Sequence, residues 1–301
     1  YDGSPCWVIM SRRSSCLHCR TRPEVIHRMP EGHVLLRLAN EVNATFAGQR
    51  VRVSSPQGKF VTAAQLLDGR ELLGAESAGK QLFINFGRGD LIHIHLGLIG
   101  RLDFHPLADP IGQVRLRIDN GVTSADLRGA TTCRLIAESE RDEILSRLGP
   151  DPLRADSVPD LAWARIRTSK RPIGELLMDQ SVVSGVGNVY RAEVLFRQRI
   201  HPLRPGNLLK RQQFKAVWDD LVGLMQEGVR LGRIDTVLPE HTPEAMGRQP
   251  RVDDHGGEVY VYRRAGQECF RCGSTVKTEN LAGRNSFWCP NCQRKRASWQ
   301  G

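Results

Sequence analysis

The chain has 301 residues, 40% of them hydrophobic and 25% charged, which excludes a mainly disordered chain and leaves room for more than one core. No stretch approaches the roughly 18 consecutive apolar residues of a membrane helix, so no membrane partner is expected. Lysine and arginine outnumber aspartate and glutamate by 43 to 33, a formal +10, and such a surplus points to a polyanion, most often nucleic acid.

Residues 1–28 stand apart. They carry Cys6, Cys16 and Cys19, with Arg12, Arg13, Arg20, Arg22 and Arg28 against Asp2 and Glu24, and show no helical or strand period. Their apolar run, Pro5 to Met10, is too short for a secretory signal and precedes its basic residues. Cys16-Leu-His-Cys19 has the spacing of half a metal site, with no second half nearby. This segment is expected to be a non-native or unstructured extension.

From Met29 the character changes. Leu35, Leu38, Val42 and Phe46 recur at helical intervals, which predicts an amphipathic helix over 31–46 with Pro30 in its first turn. Strands are expected at 51–53, 81–86, 91–96 and 114–118, the last with Val114, Leu116 and Ile118 on one face and Arg115 and Arg117 on the other. Gly87-Arg-Gly-Asp90 and Asp119-Asn-Gly121 supply turns, so the segment 29–147 is expected to be an antiparallel β domain. His93 and His95 share a strand face, and without further ligands at sensible spacing they are taken as a polar face. Pro150, Pro152 and Pro159 mark a linker. Beyond it, over 148–257, helices are predicted at 172–180 and 188–199, then a longer one capped by Asn207 that buries Phe214, Trp218, Leu221 and Met225. Between the first two, Gly185-Val-Gly187-Asn188 could gather backbone N–H groups at a helix start, a phosphate site without a lysine. Alone it is a weak signal, because glycine-rich helix turns are common.

The last segment, 258–301, carries the strongest motif. Cys269-Phe-Arg-Cys272 and Cys289-Pro-Asn-Cys292 are separated by sixteen residues, the spacing of a four-thiolate site for one structural Zn2+. A segment so short cannot bury a core, and the metal supplies the cross-link. From residue 269 onward Arg271, Lys277, Arg284, Arg294, Lys295 and Arg296 face one acid, Glu279, so the finger is expected to contact phosphate.

Five blocks in this order resemble the formamidopyrimidine-DNA glycosylase and endonuclease VIII family of base-excision repair. They are Met29-Pro-Glu-Gly-His33, His95-Leu-Gly-Leu-Ile-Gly100, Leu148-Gly-Pro-Asp-Pro-Leu153, Asp179 to Asn188, and the zinc finger with Gly283-Arg284. The resemblance covers residues 29–293. It implies an α+β multidomain fold: an N-terminal antiparallel β-sandwich with flanking helices, a helix–two-turn–helix domain and a C-terminal zinc finger. It also implies a bifunctional glycosylase and AP lyase acting on damaged DNA, whether duplex, bubble or single-stranded, as a monomer in the cytoplasm on the nucleoid.

In such enzymes the N-terminal proline amine attacks C1′ of the damaged nucleotide, which assigns Pro30 as nucleophile and Glu31 as the acid/base beside it. An α-amine titrates near pKa ~8 and lysine near ~10.4, so the amine has the larger free-base fraction at neutral pH. Lys80 matches the family's phosphate-contacting lysine at a strand start; by itself it is a surface lysine. Arg284 matches the finger arginine that grips the phosphates flanking the lesion. Asn188, with Gly187, matches the helix-turn group that binds the same backbone. Such a clamp suits an extruded nucleotide.

The family's purine-directed branch usually carries an Asp-Pro-Arg-Arg-Phe-Gly loop. Here the stretch is Asp126-Leu-Arg-Gly-Ala-Thr131, with Arg128 kept and Ala130 where the aromatic wedge stands. Leu98 is left to enter the base stack. The pattern looks like the endonuclease VIII side, especially its actinobacterial relatives, so oxidised pyrimidines and abasic sites are expected ahead of 8-oxoguanine. An internal Pro30 would be a tertiary amide without a nucleophilic lone pair; Met29 is therefore expected to be the true start, the alternatives being that the extension is processed off or that this form is a catalytically idle lesion-binding protein. The competing reading is a non-catalytic zinc-ribbon nucleic-acid-binding protein, which holds if Pro30 is not a free N-terminus.

Overall fold

A computed structural model describes residues 30–252, 257–295 and Trp299. The expectations for residues 1–28, for Met29 as the start and for Arg296 lie outside the described residues. The N-terminal half runs α1 (Gly32–Phe46), β1 (Gln49–Arg50), β2 (Arg52–Ser54), α2 (Val61–Leu67), β3 (Glu71–Leu72), β4 (Gly74–Ala78), β5 (Gln81–Asn85), β6 (Asp90–His95), β7 (Arg101–Pro106), β8 (Leu116–Asp119), β9 (Thr123–Arg128), β10 (Thr132–Ala137) and α3 (Glu138–Ser146). Two four-stranded antiparallel sheets form, in the orders β10-β6-β5-β4 and β2-β8-β9-β7. Leu82, Ile84, Ile92 and Ile94 of the first sheet meet Leu116, Ile118, Ala125 and Leu127 of the second in one core, which α1 also enters with Leu35, Leu38, Val42 and Phe46. Phe83, Leu91 and Ile136 point to the other face of the first sheet and pack under Ile144 and Leu145 of α3. Burial on both faces explains why β5 and β6 read as nearly continuous apolar runs rather than alternating ones.

Polar groups on those strands are buried by pairing. Arg117 is not on an exposed face: its guanidinium donates to both carboxylate oxygens of Asp126 at 2.7 and 2.9 Å, and both residues are buried. His93 is buried too, stacked on Phe83 at 5.1 Å and 2.8 Å from Gln81 Oε1.

The second half holds α4 (Pro159–Ile166), α5 (Ile173–Leu176), α6 (Asn188–Arg197), α7 (Arg211–Leu231), α8 (Pro243–Met246), and a hairpin of β11 (Lys277–Leu281) and β12 (Arg284–Trp288). Two helix expectations need correction. The element predicted over 172–180 is a single turn, α5, because from Met178 the chain breaks into turns in which Asp179 accepts from the Ser181 amide and hydroxyl. Asn207 does not cap α7: it lies in a short 3-10 turn with its amide on Ser169, and α7 begins at Arg211, where Gln213 reaches back to the Lys210 amide at 3.1 Å.

Ile173, Val194, Phe196, Phe214 and Leu221 form a second core with Val276, Phe287, Cys269 and Cys289, so helices and finger share one interior. The two halves meet along α1, which packs on β4 and β5 on one side and on α7 on the other. Arg37 of α1 donates to the Val229 carbonyl of α7 at 2.8 Å. No helix of the described residues is long and apolar enough to cross a membrane.

Candidate active site at the junction of the two halves

Pro30 is buried and lies outside α1 rather than in its first turn, since Glu31 takes the N-cap position with extended backbone and the helix begins at Gly32. A capping side chain normally satisfies its own helix. That of Glu31 turns away and caps α6 instead: Oε1 accepts from the Val189 amide at 2.8 Å, and Oε2 from Gly187 at 2.8 Å and Tyr190 at 3.4 Å. Two glycines make this approach possible. A Cβ on Gly187 would lie 2.3 Å from the Glu31 carboxyl carbon, and one on Gly32 would lie 2.9 Å from Cα of Gly185. The Gly32 amide donates to the Gly185 carbonyl at 2.8 Å, so the start of α1 is tied to the turn before α6 through both backbone and side chain.

Burial pushes the Glu31 carboxyl above its ordinary pKa, against the opposing pull of Lys80 and the three amides. The carboxyl therefore holds a proton to higher pH than a free glutamate, which is what a proton donor needs. Lys80 enters at the start of β5 side. Gly79 before it has φ +57, and the Gly79 amide donates to the buried carboxylate of Asp151 at 2.7 Å. Burial lowers the Lys80 ammonium; the Glu31 charge works against this and the Arg284 charge adds to it. The charges of Glu31, Lys80 and Arg284 thus act on one another across the junction.

Arg284 is exposed at the tip of the β11–β12 hairpin. Its neighbour Asn285 anchors the tip: the Asn285 carbonyl accepts from Asn188 Nδ2 at 3.1 Å and from Arg191 Nη2 at 2.9 Å. Arg191 also donates to the Gly174 carbonyl at 3.3 Å and to the Asn188 side-chain oxygen. Asn188 therefore positions the hairpin in this structure.

At the hairpin base the sulfurs of Cys269, Cys272, Cys289 and Cys292 all lie within 4.8 Å of one another. Pairs stand 3.4, 3.6 and 3.9 Å apart, against about 3.8 Å for a tetrahedron of Zn–S bonds of ~2.3 Å. The donor set fits one zinc ion. Gln293 ties this end down, accepting from the Cys289 amide at 2.9 Å and donating to the Ile200 carbonyl at 2.8 Å.

The two wedge candidates fare differently. Leu98 is 60% exposed at the tip of the turn between β6 and β7, and Ile99 beside it is 66% exposed. Arg128 is tied down: it donates to Asp126 at 2.8 Å and to the Ile111 carbonyl at 3.0 Å.

Three family models match the chain in succession: the formamidopyrimidine-DNA glycosylase N-terminal domain over residues 29–133, the formamidopyrimidine-DNA glycosylase H2TH domain over 148–239, and the zinc finger found in FPG and IleRS over 266–294. Endonuclease 8 1 of Mycobacterium tuberculosis is 49% identical over 274 residues, spanning 88% of this chain and all of that protein. The chain belongs to the formamidopyrimidine-DNA glycosylase/endonuclease VIII family. Formamidopyrimidine-DNA glycosylase of Streptococcus pneumoniae is 32% identical over 229 residues, covering 73% of this chain and 81% of the relative. The fold agrees with a solved complex between Lactococcus lactis Fpg and DNA containing an abasic site, at a TM-score of 0.73 and 24% identity over 88% of this chain and all of that one.

As a member of this glycosylase/endonuclease family, the chain is a DNA glycosylase/AP lyase of base-excision repair whose zinc finger brings four cysteines together in a site that can bind one zinc ion. Its family motifs drew attention to Glu31, Lys80, Asn188 and Arg284, and the fold brings all four to the junction. Sequence reasoning passed over Arg191, Asp151 and Ile99. Arg191 is one helical turn from Asn188, and Leu98-Ile99 is an apolar pair between two glycines in a turn; these were the available signals. Asp151 lies in the Leu148–Leu153 block, but its bond to Gly79 joins positions far apart in sequence, so its role could not be read locally.

Proposed function

We propose that the chain removes oxidised bases from DNA, pyrimidines ahead of purines, and cleaves the resulting abasic sites through a Schiff base on Pro30. The observation that carries this reading is Glu31, a buried carboxyl next in sequence to Pro30, pinned by three amides of a different element and biased toward its protonated form. A helix cap alone has no need of an acid in that position. With Pro30 as the free N-terminal residue, its amine forms a bond to C1′. The C1′–N bond to the base breaks, and its electron pair leaves with the base. The amine N–H proton is lost, C1′–O4′ opens with O4′ taking a proton from Glu31, and an iminium results. That electron sink acidifies the C2′ hydrogens; loss of one expels the 3′ phosphate, and a second elimination expels the 5′ phosphate. Lys80 and Arg284 would hold the phosphates flanking the extruded nucleotide, and Asn188 and Gly187 would support the same backbone. The family match beginning at Met29 agrees with Pro30 as the first residue of the active form.

The preference for pyrimidines rests on the wedge. Ala130 is buried and small, and Arg128 is held by carboxylates, whereas Leu98 and Ile99 stand exposed. An aliphatic wedge without a polar reader discriminates weakly among opposite bases, so bubble and single-stranded substrates are included. We place the enzyme in the cytoplasm on nucleoid DNA, as a monomer.

Borohydride trapping tests the chemistry. Protein beginning at Pro30, mixed with abasic-site DNA and borohydride, should give a covalent adduct, whereas protein still carrying a residue before Pro30 should give none. DNA binding without an adduct in both forms would leave only the non-catalytic binder. For the substrate class, thymine glycol should be excised faster than 8-oxoguanine opposite cytosine, and the reverse order would overturn that part.

A further inference from the structure

A second concave surface lies at the far end of α6. The ten residues of this helix carry the chain about 15 Å from Asn188 to Arg197, and the hairpin runs beside it, from Arg284 at the tip to the zinc site at the base. There a cleft of about 750 Å³ opens, lined by Arg199, Arg204, Arg271, Arg294, Lys295 and Trp299 among others, with no carboxylate among the described residues of its wall. The finger's bases therefore divide: Lys277 and Arg284 belong to the hairpin, while Arg271, Arg294 and Lys295 belong to this cleft.

The zinc site does not account for so much charge. One Zn2+ with four thiolates carries a net charge of about −2, and five cations line the cleft. Arg271 lies over the rings of Phe196 and Tyr260 at 5.4 and 5.3 Å, which holds it without neutralising it. Among the described residues, Arg199, Arg271, Arg294 and Lys295 pair with no carboxylate. The shape argues against a duplex, whose convex phosphate ridge rides over a surface rather than into a cleft of ligand size. The aromatic wall argues against stacked bases: Trp299 is only 7% exposed, with the Arg204 guanidinium 5.5 Å from its ring centre, so it offers no open face as a stacking platform.

We propose that this cleft receives an acidic peptide segment of a protein partner, whose carboxylates meet the arginine forks, while the opposite end of α6 stays on DNA. The test uses zinc-loaded full-length chain and a labelled Asp/Glu-rich peptide, followed by fluorescence anisotropy with and without bound abasic-site duplex. Arg199 and Lys295 are exposed. Arg199 has φ 53, a conformation asparagine tolerates, so the variant of choice is Arg199→Asn/Lys295→Glu, with Arg294→Glu as an independent second. Each should weaken the peptide at least about tenfold, with abasic-site cleavage unchanged and peptide binding retained when duplex is present. Three results would overturn the proposal: no peptide binding, displacement of the peptide by duplex, or a single-stranded oligonucleotide that binds more tightly than the peptide and loses affinity in the same variants.

Discussion

Glu31 and Gly187 form the tightest residue-scale dependence in the site. The carboxyl reaches three amides only because position 187 lacks a side chain; a Cβ there would sit 2.3 to 2.5 Å from the carboxyl atoms. Gly187 has φ −119, so its backbone suits any residue and the requirement is purely one of space. Gly187→Ala should therefore cost ~1–3 kcal/mol through overpacking, and should reduce the yield of borohydride-trapped adduct by displacing Glu31. Gly223→Ala is the matched control: it lies inside α7 with open space around its Cβ, and should stabilise the helix by about 0.5–1 kcal/mol with trapping unchanged. Thermal melts and trapping on both variants check the pair, and equal behaviour of the two would refute the steric argument. The pH dependence follows from the same carboxyl. Burial raises its pKa, so the protonated form that serves O4′ persists above the ordinary glutamate range and is lost as pH climbs through the raised value. The rate of base removal should thus rise as the Pro30 amine deprotonates and fall as Glu31 does, and Glu31→Gln should abolish the falling limb along with most of the activity.

At the scale of elements, α6 organises the site because both of its ends are occupied: the N-terminus by Glu31, the C-terminal side by the finger. Its interior arginine couples the two. Arg191 is buried, with burial and the nearby Arg284 pushing its pKa down to about 10 and Glu31 acting against them. Arg191→Met fills similar space but removes the donors to the Gly174 carbonyl and the Asn188 side-chain oxygen and one of the two donors to the Asn285 carbonyl, each acceptor left unsatisfied costing about 1–3 kcal/mol. The hairpin tip should loosen. Faster hydrogen exchange around residues 281–286 and a slower elimination step should follow, while the Schiff base still forms; unchanged exchange would show that Asn188 suffices as the anchor. This coupling also marks where the sequence ceased to be legible. The helical period of α1, the paired strands and the thiolate spacing could all be read, because each is set by neighbours close along the chain. Arg117 reads as a polar-face position because its pairing with Asp126 lies across strands. Asn207 resembled a cap because cap chemistry is local, yet the chain makes a 3-10 turn there before Lys210 takes that place.

At the scale of the whole molecule, the described residues pack around two main cores, with a smaller cluster under α3. Helices and finger share an interior that includes Cys269, Cys289, Val276 and Phe287, whereas the sandwich closes its own core without them. Zinc therefore supports more than a peripheral knuckle: it fixes the base of the hairpin whose tip carries Arg284, and Gln293 transmits that anchorage to the end of α6. The sandwich half contributes Pro30, Glu31 and Lys80, so loss of metal should separate the two contributions. After chelation, verified by metal analysis, the β signal in far-UV circular dichroism should persist, while affinity for abasic-site DNA falls and adduct yield falls with it. At saturating DNA part of the adduct should return, because the nucleophile and its acid sit on the intact half; zinc should restore the rest. If verified loss of metal left DNA affinity unchanged, the finger would have no part in binding and Arg284 would have to be removed from the site. If chelation instead erased the β signal, the two cores would unfold as one, and the junction held by Glu31, Gly32 and Arg37 would be the stronger bond between them.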